Sequence, residues 1–138
     1  MAKISGIGLT ISVTTSAGAV TPIGPDVTSC TINTSRGEQD ITGLDKSAIE
    51  RLLLLADSEL GLTGIYNSAL SHTVFADHGV LEAAHVGRHV VIVLPGGGLA
   101  TMTCLMVIPT YNLSRGADGS LTWTATLKLA DGTLPAWA

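Results

Sequence analysis

The most regular stretch of this chain is SLTWTATLKL, residues 120–129. Apolar side chains from Leu121 to Leu129 alternate there with hydroxyl-bearing side chains and with Lys128. A period of two places the apolar residues on one face of a β-strand and the polar residues on the other. The stretch therefore predicts a strand with one face in a core and a second face that is polar but nearly neutral.

Comparable segments rich in Thr, Val, Ile and Leu recur between turn signals made of Gly, Pro, Asp and Ser. Further strands are predicted at residues 4–13, 27–34, 38–42, 59–66, 89–94 and 101–108. Turns are predicted at residues 18, 22–25, 35–37, 95–98, 116–119 and 131–132. We therefore predict a mainly β fold, an antiparallel β-sandwich or barrel, in a single domain spanning residues 1–138.

Residues 90–109 form an uncharged stretch that is long enough to span a membrane. The Pro-Gly-Gly-Gly run at residues 95–98 interrupts it, and both halves are rich in Thr, Val and Ile, which favour strands. We predict two strands joined by a turn, and no membrane insertion.

The chain is poor in charge, since 13% of its residues are charged against a usual figure of about 25%. Residues 101–108 also carry apolar side chains on both predicted faces. Both observations favour an obligate oligomer, although a compact, charge-poor monomer would explain the composition too. The net charge of -4 comes without a basic cluster, so tight binding of nucleic acid is not expected.

A helix is predicted at about residues 46–57, because Asp45 can cap its start and Ser47 with Glu50 has the spacing of a capping box. At about 100° per residue, three of the four consecutive leucines at 52–55 fall on the core side. Leu54 falls among the polar residues instead. A single exposed leucine is ordinary, but the low charge makes contact between Leu54 and a neighbouring subunit the alternative interpretation.

Cys30 and Cys104 are the only cysteines, and they lie far apart in the sequence. A disulfide between them is one alternative, and two buried free thiols in a cytosolic product is the favoured one. The N-terminus lacks the charged start and apolar run of a signal peptide, so export by that route is not expected.

Titratable groups are close together in sequence at one place, which contains His72, Asp77, His78, Glu82, His85 and His89. The histidines lack the spacing of a recognisable metal motif. There is no Gly-x-Ser-x-Gly elbow, and the glycines at 96–98 lack the Lys-Ser/Thr and the helix of a phosphate loop. We therefore predict no enzymatic activity, no cofactor and no metal.

The order of elements resembles that of the major tail tube proteins of long-tailed bacteriophages. The resemblance lies in Asp-Ile-Thr at residues 40–42, the predicted helix ending in Leu-Ala-Asp at 57, and LGLTGIY at 60–66 before a loop of small residues. It continues in the turn at 115–119, the Thr-rich strand and the ending LADGTLPAW at 129–137. The resemblance covers residues 25–138.

This resemblance implies a β-sandwich with one flanking helix, six copies closing into a homohexameric ring, and rings stacking into a tail tube. The same fold serves the tubes of contractile phages and of type VI secretion. The implied partners are further copies of the chain, the tape-measure protein, other tail proteins, and DNA that passes through without specific binding. The implied location is the virion tail, assembled in the host cytoplasm.

Contacts between rings need elements that project beyond the sandwich, and we expect them in the N-terminal segment and in residues 67–86. The second segment fits neither period and reads as a long loop, with a helical turn as an alternative. The predicted subunit contacts are therefore Leu54, His72, Phe75 and His78.

Two other interpretations remain at this point. One is another ring-forming virion component, such as a tail terminator or decoration protein. The other is a small β-barrel module that binds a ligand in an apolar pocket, although the Thr row of residues 122–126 lacks an acid, base or nucleophile.

Overall fold

In a computed structural model of the protein, the structure describes residues 5–78, 87–98, 100–130 and 132–138. One five-residue helix, α1, lies among eight strands, in agreement with the mainly β prediction. The elements are β1 Thr10–Thr14, β2 Val20–Pro22, a 3-10 turn Gly24–Asp26, β3 Val27–Asp40, β4 Arg51–Ile65, α1 Ser71–Phe75, β5 Arg88–Val93, β6 Thr101–Arg115, β7 Leu121–Leu129 and β8 Ala136–Trp137.

All strand pairs are antiparallel and form one sheet in the order β2-β1-β5-β6-β7-β4-β3, with β8 paired to the start of β6. Buried residues from both ends of this order, such as Val13 of β1 and Leu60 of β4, belong to a single hydrophobic cluster. The sheet therefore curls around its core, as the twist of β-sheets allows. The sheet thereby supplies both layers of the packed structure.

The strand predicted at 120–129 is confirmed as β7, in which Trp123, Ala125 and Leu127 are buried. The turn before it is confirmed as well, because Gly116 N–H donates to the Ser120 carbonyl and Gly119 has a φ of 90°. A positive φ favours glycine. This hairpin joins β7 to β6.

The helix predicted at residues 46–57 is wrong. Residues 51–57 form the first half of β4, where Leu52 opposes Gln39 and Leu53 opposes Glu38. Residues 41–50 connect the two strands. Helix propensity contributes only tenths of a kcal/mol per residue, and pairing with β3 outweighs it.

The one helix of the described residues lies within the predicted loop 67–86 instead, and residues 79–86 of that loop fall outside the described residues. The two strands predicted at 27–34 and 38–42 are a single strand, β3. A register shift between Arg36 and Glu38 replaces the predicted turn.

Three other strand predictions differ only in length. Strand β1 begins at Thr10, later than the predicted start at residue 4, which lies outside the described residues. The prediction for 59–66 covers the second half of β4. Strand β6 continues past Pro109 to Arg115. A bulge between Val107 and Thr110 accommodates the proline, which cannot donate to the strand ladder.

The uncharged segment 90–109 forms the paired strands β5 and β6, as predicted. In the described part of the chain, no helix has the length and apolar character needed to cross a bilayer.

Packing is tight at Gly64, which opposes Trp123. The indole N–H of Trp123 donates to the Ile65 carbonyl at 3.0 Å. A Cβ added to Gly64 would overlap the Asp26 carbonyl oxygen and lie 2.7 Å from the Trp123 ring. The absence of a side chain at Gly64 therefore allows the tryptophan to lie flat against β4.

We expect Gly64→Ala to lower the free energy of unfolding by about 1–3 kcal/mol, the usual cost of overpacking a core. Gly61→Ala is the matched control, because its added Cβ would meet nothing closer than Thr31 Cβ at 3.9 Å. Urea unfolding monitored by tryptophan fluorescence measures both. Equal effects of the two substitutions would contradict this account of the Gly64 contact.

Candidate assembly surfaces

Strands β3 and β4 pair well beyond the part of the sheet that covers the core. We call residues 35–57 the arm: two paired strand segments and the connection between them. Every residue of the arm is exposed except Thr42 and Ala56, which are half-buried. The arm therefore projects from the sheet as a two-stranded ribbon.

The arm exposes more large apolar side chains than an isolated ribbon can keep stable in water. Their exposed fractions range from 44% at Leu54 to 109% at Leu44, and together they equal more than four fully exposed residues. The set is Ile41, Leu44, Ile49, Leu52, Leu53, Leu54 and Leu55. Isolated two-stranded hairpins are marginally stable, and apolar patches of this kind mark interaction sites.

A bulge distributes the four consecutive leucines over the arm. Arg36 opposes Ala56 and Glu38 opposes Leu53, so Leu54 and Leu55 together oppose Gly37. A Cβ on Gly37 would lie 3.3 Å from the Leu54 Cβ, so Leu54 lies against the bare glycine backbone.

The tip of the arm is closed by hydrogen bonds. The Asp40 carboxylate accepts from Thr42 N–H at 2.9 Å and from the Thr42 hydroxyl, which holds the pKa of Asp40 below its ordinary value. Glu50 N–H donates to the Thr42 hydroxyl at 2.8 Å, and Ile41 N–H donates to the Glu50 carbonyl at 3.0 Å. The connection is thereby fixed at its base on both strands.

The second surface is the outer face of β3, β4, β7 and the second half of β6, which we call the hydroxyl face. Its residues follow from the registers of the three strand pairs. One row across the sheet is Thr31, Gly61, Thr126 and Thr110, and the next is Ser29, Thr63, Thr124 and Asn112. These two rows present short hydroxyl and amide side chains, and the row beside them adds the exposed Ile65 opposite Thr122.

Charge on the hydroxyl face cancels. At residues 29–33, 59–65, 110–114 and 122–128, the outward positions include two charged residues, Glu59 and Lys128, which oppose each other in register. The face is therefore close to neutral over four strands.

The four strands of the hydroxyl face have a free edge on each side. Strand β3 ends the sheet order. Strand β5 begins at Arg88, which opposes Met106, and β8 opposes only Met102 and Thr103. On the side of β6 away from β7, no strand of the described chain therefore lies beside residues 110–115. Long free edges are templates for pairing with another chain.

The predicted contact residues on α1 and just after it gather around Tyr111. His72 Nδ1 lies 3.1 Å from the Tyr111 hydroxyl, and Phe75 stacks on the Tyr111 ring at 5.4 Å. The His78 ring lies 6.5 Å from Tyr111, and its buried Nδ1 has no hydrogen-bond partner among the described residues. Leu54 lies apart from them, on the arm.

Phe75 is fully buried in the core of its own chain, and this packing alone explains why an aromatic residue occupies position 75. His72 and His78 are half-buried, and Leu54 is 44% exposed. Since contacts between chains need more than one copy, the assignments of Leu54, His72, Phe75 and His78 as subunit contacts stay predictions.

A buried arginine holds the segment that follows α1. The Arg88 guanidinium donates to the carbonyls of Val74 and Asp77 and pairs with the Asp77 carboxylate at 2.9 Å. The Ser16 hydroxyl donates to the same carboxylate. Partial burial of Asp77 raises its pKa, but the bonds from Ser16 and Arg88 together outweigh this and leave the pKa below its ordinary value.

A groove lies between the start of β1 and the start of β3, and we call it the β1–β3 groove; its surface is mainly apolar beside Pro22 and Pro25 and mixed beside residues 27–30. It consists of two adjoining hollows of about 310 and 450 Å³, lined by residues drawn from 6–11 and from 22–30. Gly8, Leu9, Ile11 and Gly24 line both hollows, and the lining residues include no charged side chain.

Both cysteines are free thiols. Cys30 is half-buried and lines the β1–β3 groove. Burial raises the pKa of the Cys104 thiol to about 11, so at ordinary pH this thiol reacts slowly. Among the described residues, no three His, Cys, Asp or Glu side chains converge as metal ligands would.

Sequence reasoning missed the arm and the free edge of β6. The arm had a signal in the sequence, since four leucines in a row fit neither a helical face nor an alternating strand. The free edge had none, because which strands lie beside residues 110–115 depends on pairing with distant segments.

No protein-family model matches this sequence, and no curated protein matches it. Solved structures do match its fold. A chain in the C6-symmetric tail of an empty gene transfer agent (GTA) particle superimposes with a TM-score of 0.74 at 13% identity, over 99% of both chains.

A chain of the SPP1 tail tube gives a TM-score of 0.65 at 12% identity, over 99% of this chain and 80% of that one. A chain of the six-fold symmetrised anti-feeding prophage baseplate gives 0.62 at 15% identity, over 95% and 93%. The resemblance to tail tube proteins is thus confirmed as one of fold.

We expect Asp77→Asn to lower the free energy of unfolding at pH 7 by about 1–2 kcal/mol. This is less than the ~3–5 kcal/mol of a fully buried pair, because the Asp77 side chain is 39% exposed. A carboxyl whose pKa is lowered on folding stabilises the fold above its unfolded pKa, and the effect is lost as the pH falls through the lower folded value. The difference from the wild type should therefore shrink below pH ~4.

Urea unfolding at pH 7 and at pH 3 measures this difference, with the exposed Asp45→Asn as the control. A difference between wild type and Asp77→Asn that grows on acidification would contradict the assignment.

Proposed function

We propose that this chain is a structural virion protein of a tail tube, in which six copies close into a ring and rings stack around a channel that DNA passes through. The observation that carries the proposal is the pair of free edges on either side of the hydroxyl face. The fold shared with a chain in a C6-symmetric tail and with the SPP1 tail tube supports it.

In the proposed ring, the free edge of β3 in one copy pairs with the free edge of residues 110–115 in the next. Two different surfaces meet in such a contact, so it repeats from copy to copy and closes if the rotation allows. We choose six copies because two of the solved structures with a similar fold have six-fold symmetry. Closure covers the free edge of β3 and the free edge of residues 110–115 in every copy.

The hydroxyl face lines the channel in this arrangement. Phosphates are held on proteins by Lys and Arg, and this face has one lysine opposed by one glutamate. A neutral wall of short hydroxyl side chains gives DNA no charged contact to stop at. The same channel holds the tape-measure protein during assembly, which takes place in the host cytoplasm with other tail proteins.

Electron microscopy of the purified protein tests the assembly. We expect rings and stacked tubes, and we expect Leu113→Lys to raise the concentration needed for assembly at least tenfold, because Leu113 lies on the β6 edge and is 47% exposed. Val20→Lys, on the distant strand β2, is the matched control and should assemble normally.

Circular dichroism confirms that both variants fold. Assembly of Leu113→Lys at the wild-type concentration would contradict the edge contact. Closed single rings that never stack would favour a tail terminator or decoration protein.

The channel wall is tested by giving it positive charge. Thr63 and Thr124 are cross-strand neighbours on the hydroxyl face, and we expect tubes of the double variant Thr63→Lys/Thr124→Lys to retain short duplex DNA. Retention should fall steeply between ~50 and 200 mM salt.

Cosedimentation of tubes assembled with labelled DNA measures retention. Wild-type tubes and tubes of Ala17→Lys, whose lysine lies in the exposed β1–β2 turn, should retain little. If tubes of Ala17→Lys and tubes of the double variant retained equal amounts of DNA, the hydroxyl face would not line the channel.

A further inference from the structure

We propose that the peptide bond between Asp118 and Gly119 is a latent site of isoaspartate formation, and that Ser120 and Gly116 keep this site closed in the folded chain. The site lies in the exposed turn between β6 and β7. The inference concerns the chemistry of this hairpin and does not depend on the proposed tube.

The reaction needs no reagent besides water. The backbone nitrogen of Gly119 attacks Cγ of the protonated Asp118 carboxyl group. An N–Cγ bond forms, a Cγ–O bond breaks, and the departing hydroxyl leaves as water with the amide proton. The product is a five-membered succinimide. When water opens its bond to Cγ, aspartate returns, and when water opens the bond at the main-chain carbonyl, the chain runs through the side chain as isoaspartate.

The turn itself requires the two residues that react. Gly119 has a φ of 90°, which favours glycine, and a glycine has no side chain to shield its nitrogen from attack. The Asp118 carboxylate accepts from Ser120 N–H at 3.1 Å and from the Ser120 hydroxyl at 2.8 Å. Aspartate is favoured in turns because it makes such bonds to the following backbone. A stable turn and a reactive dipeptide therefore come from the same two residues.

Hydrogen bonds hold both reacting groups away from the reaction. Gly119 N–H donates to the Gly116 carbonyl at 3.0 Å, and the amide must give up this proton in order to attack. The Ser120 N–H and hydroxyl hold the pKa of Asp118 below its ordinary value, so less of the protonated carboxyl is present. Closure of the ring would also draw Cγ onto the Gly119 nitrogen and pull the carboxylate away from both donors of Ser120.

Gly116 makes room for this arrangement. A Cβ added to Gly116 would lie 2.7 Å from the Asp118 carboxylate oxygen and 2.7 Å from the Ser120 hydroxyl. Gly116 N–H also donates to the Ser120 carbonyl at 2.8 Å. The bare backbone at residue 116 thus allows the carboxylate and the hydroxyl to approach each other.

Isoaspartate would alter the pairing of β6 with β7. It moves Cβ of residue 118 into the main chain, so the loop between Arg115 and Leu121, which oppose each other, becomes one atom longer. Loop length and turn type set the register of a hairpin. The closed site therefore preserves the register of residues 110–115, which form the free edge of β6.

The test compares the rate of isoaspartate formation in folded and unfolded protein. Folded wild type, wild type unfolded in urea and folded Ser120→Ala are incubated at pH 6 and 37 °C, and isoaspartate at residue 118 is measured by digestion and electron-transfer mass spectrometry. We expect a rate about tenfold slower in folded wild type than in the unfolded chain, since the reaction requires local opening. Ser120→Ala removes one hydrogen bond from the carboxylate and should raise the folded rate about three- to tenfold.

Two variants serve as controls. Ser120→Thr keeps a hydroxyl group at residue 120 and should stay slow. Ser114→Ala removes an exposed hydroxyl from the same hairpin and should behave like the wild type. Equal rates in folded and unfolded wild type would overturn the proposal, and so would equal rates in Ser120→Ala and wild type.

The second Asp-Gly pair of the sequence, at residues 131–132, is an internal reference in the same digest. We expect Ser120→Ala to leave the isoaspartate rate at residue 131 unchanged. An equal rise at residues 118 and 131 would mean that the substitution loosens the whole fold, and it would overturn the specific role of Ser120.

Discussion

Backbone pairing between β3 and β4 runs from Val27 opposite Gly64 to Asp40 opposite Arg51, far past the buried core. The pairing satisfies the backbone groups of residues whose side chains have nothing to pack against within the chain, as backbone polar groups require. It also places the bulge at Gly37, the outward row of hydroxyl residues and the free edge of β3. The arm, the face and the edge are therefore three results of one long hairpin.

The rest of the molecule fixes that hairpin to a rigid base. Trp123 packs flat on Gly64, and the buried Asp26 carboxylate accepts from the Asn67 amide at 3.0 Å and from Ser71 N–H at 3.1 Å. Arg88 ties the segment after α1 to β5. Among the described residues, the charged side chains that are buried are those of Asp26 and Arg88, and both hold the segment around α1.

The alternation of apolar and polar residues predicted the strands that have one face buried and the other face exposed to solvent. The alternation at 120–129 predicted a strand, which is β7. The Pro-Gly-Gly-Gly run predicted a turn between two strands, which are β5 and β6. The helix at 46–57 failed because Leu and Ala favour helices in isolation, whereas the paired strand is stabilised by residues 35–40.

The candidate surfaces were less accessible from sequence. Leu54 was predicted as a subunit contact from its position on a helix at 46–57, and that helix is absent. Leu54 nevertheless lies on an exposed apolar element, the arm. Phe75, chosen for the same role, is a core residue because α1 folds it under Tyr111. Free edges and grooves arise from pairing between segments far apart in the chain, which periodicity does not report.

The free edges of β3 and of residues 110–115 lie on opposite sides of the hydroxyl face, and if copies join through two such different surfaces, their growth has a kinetic consequence. A head-to-tail subunit added to a growing end recreates the acceptor it has just filled, so every addition is equivalent to the last. Growth of this kind has a slow nucleation step and then no internal signal to stop. In the proposed tube, the contact within a ring would set the diameter, whereas a contact that repeats identically along the tube would leave its length to be set by a different molecule.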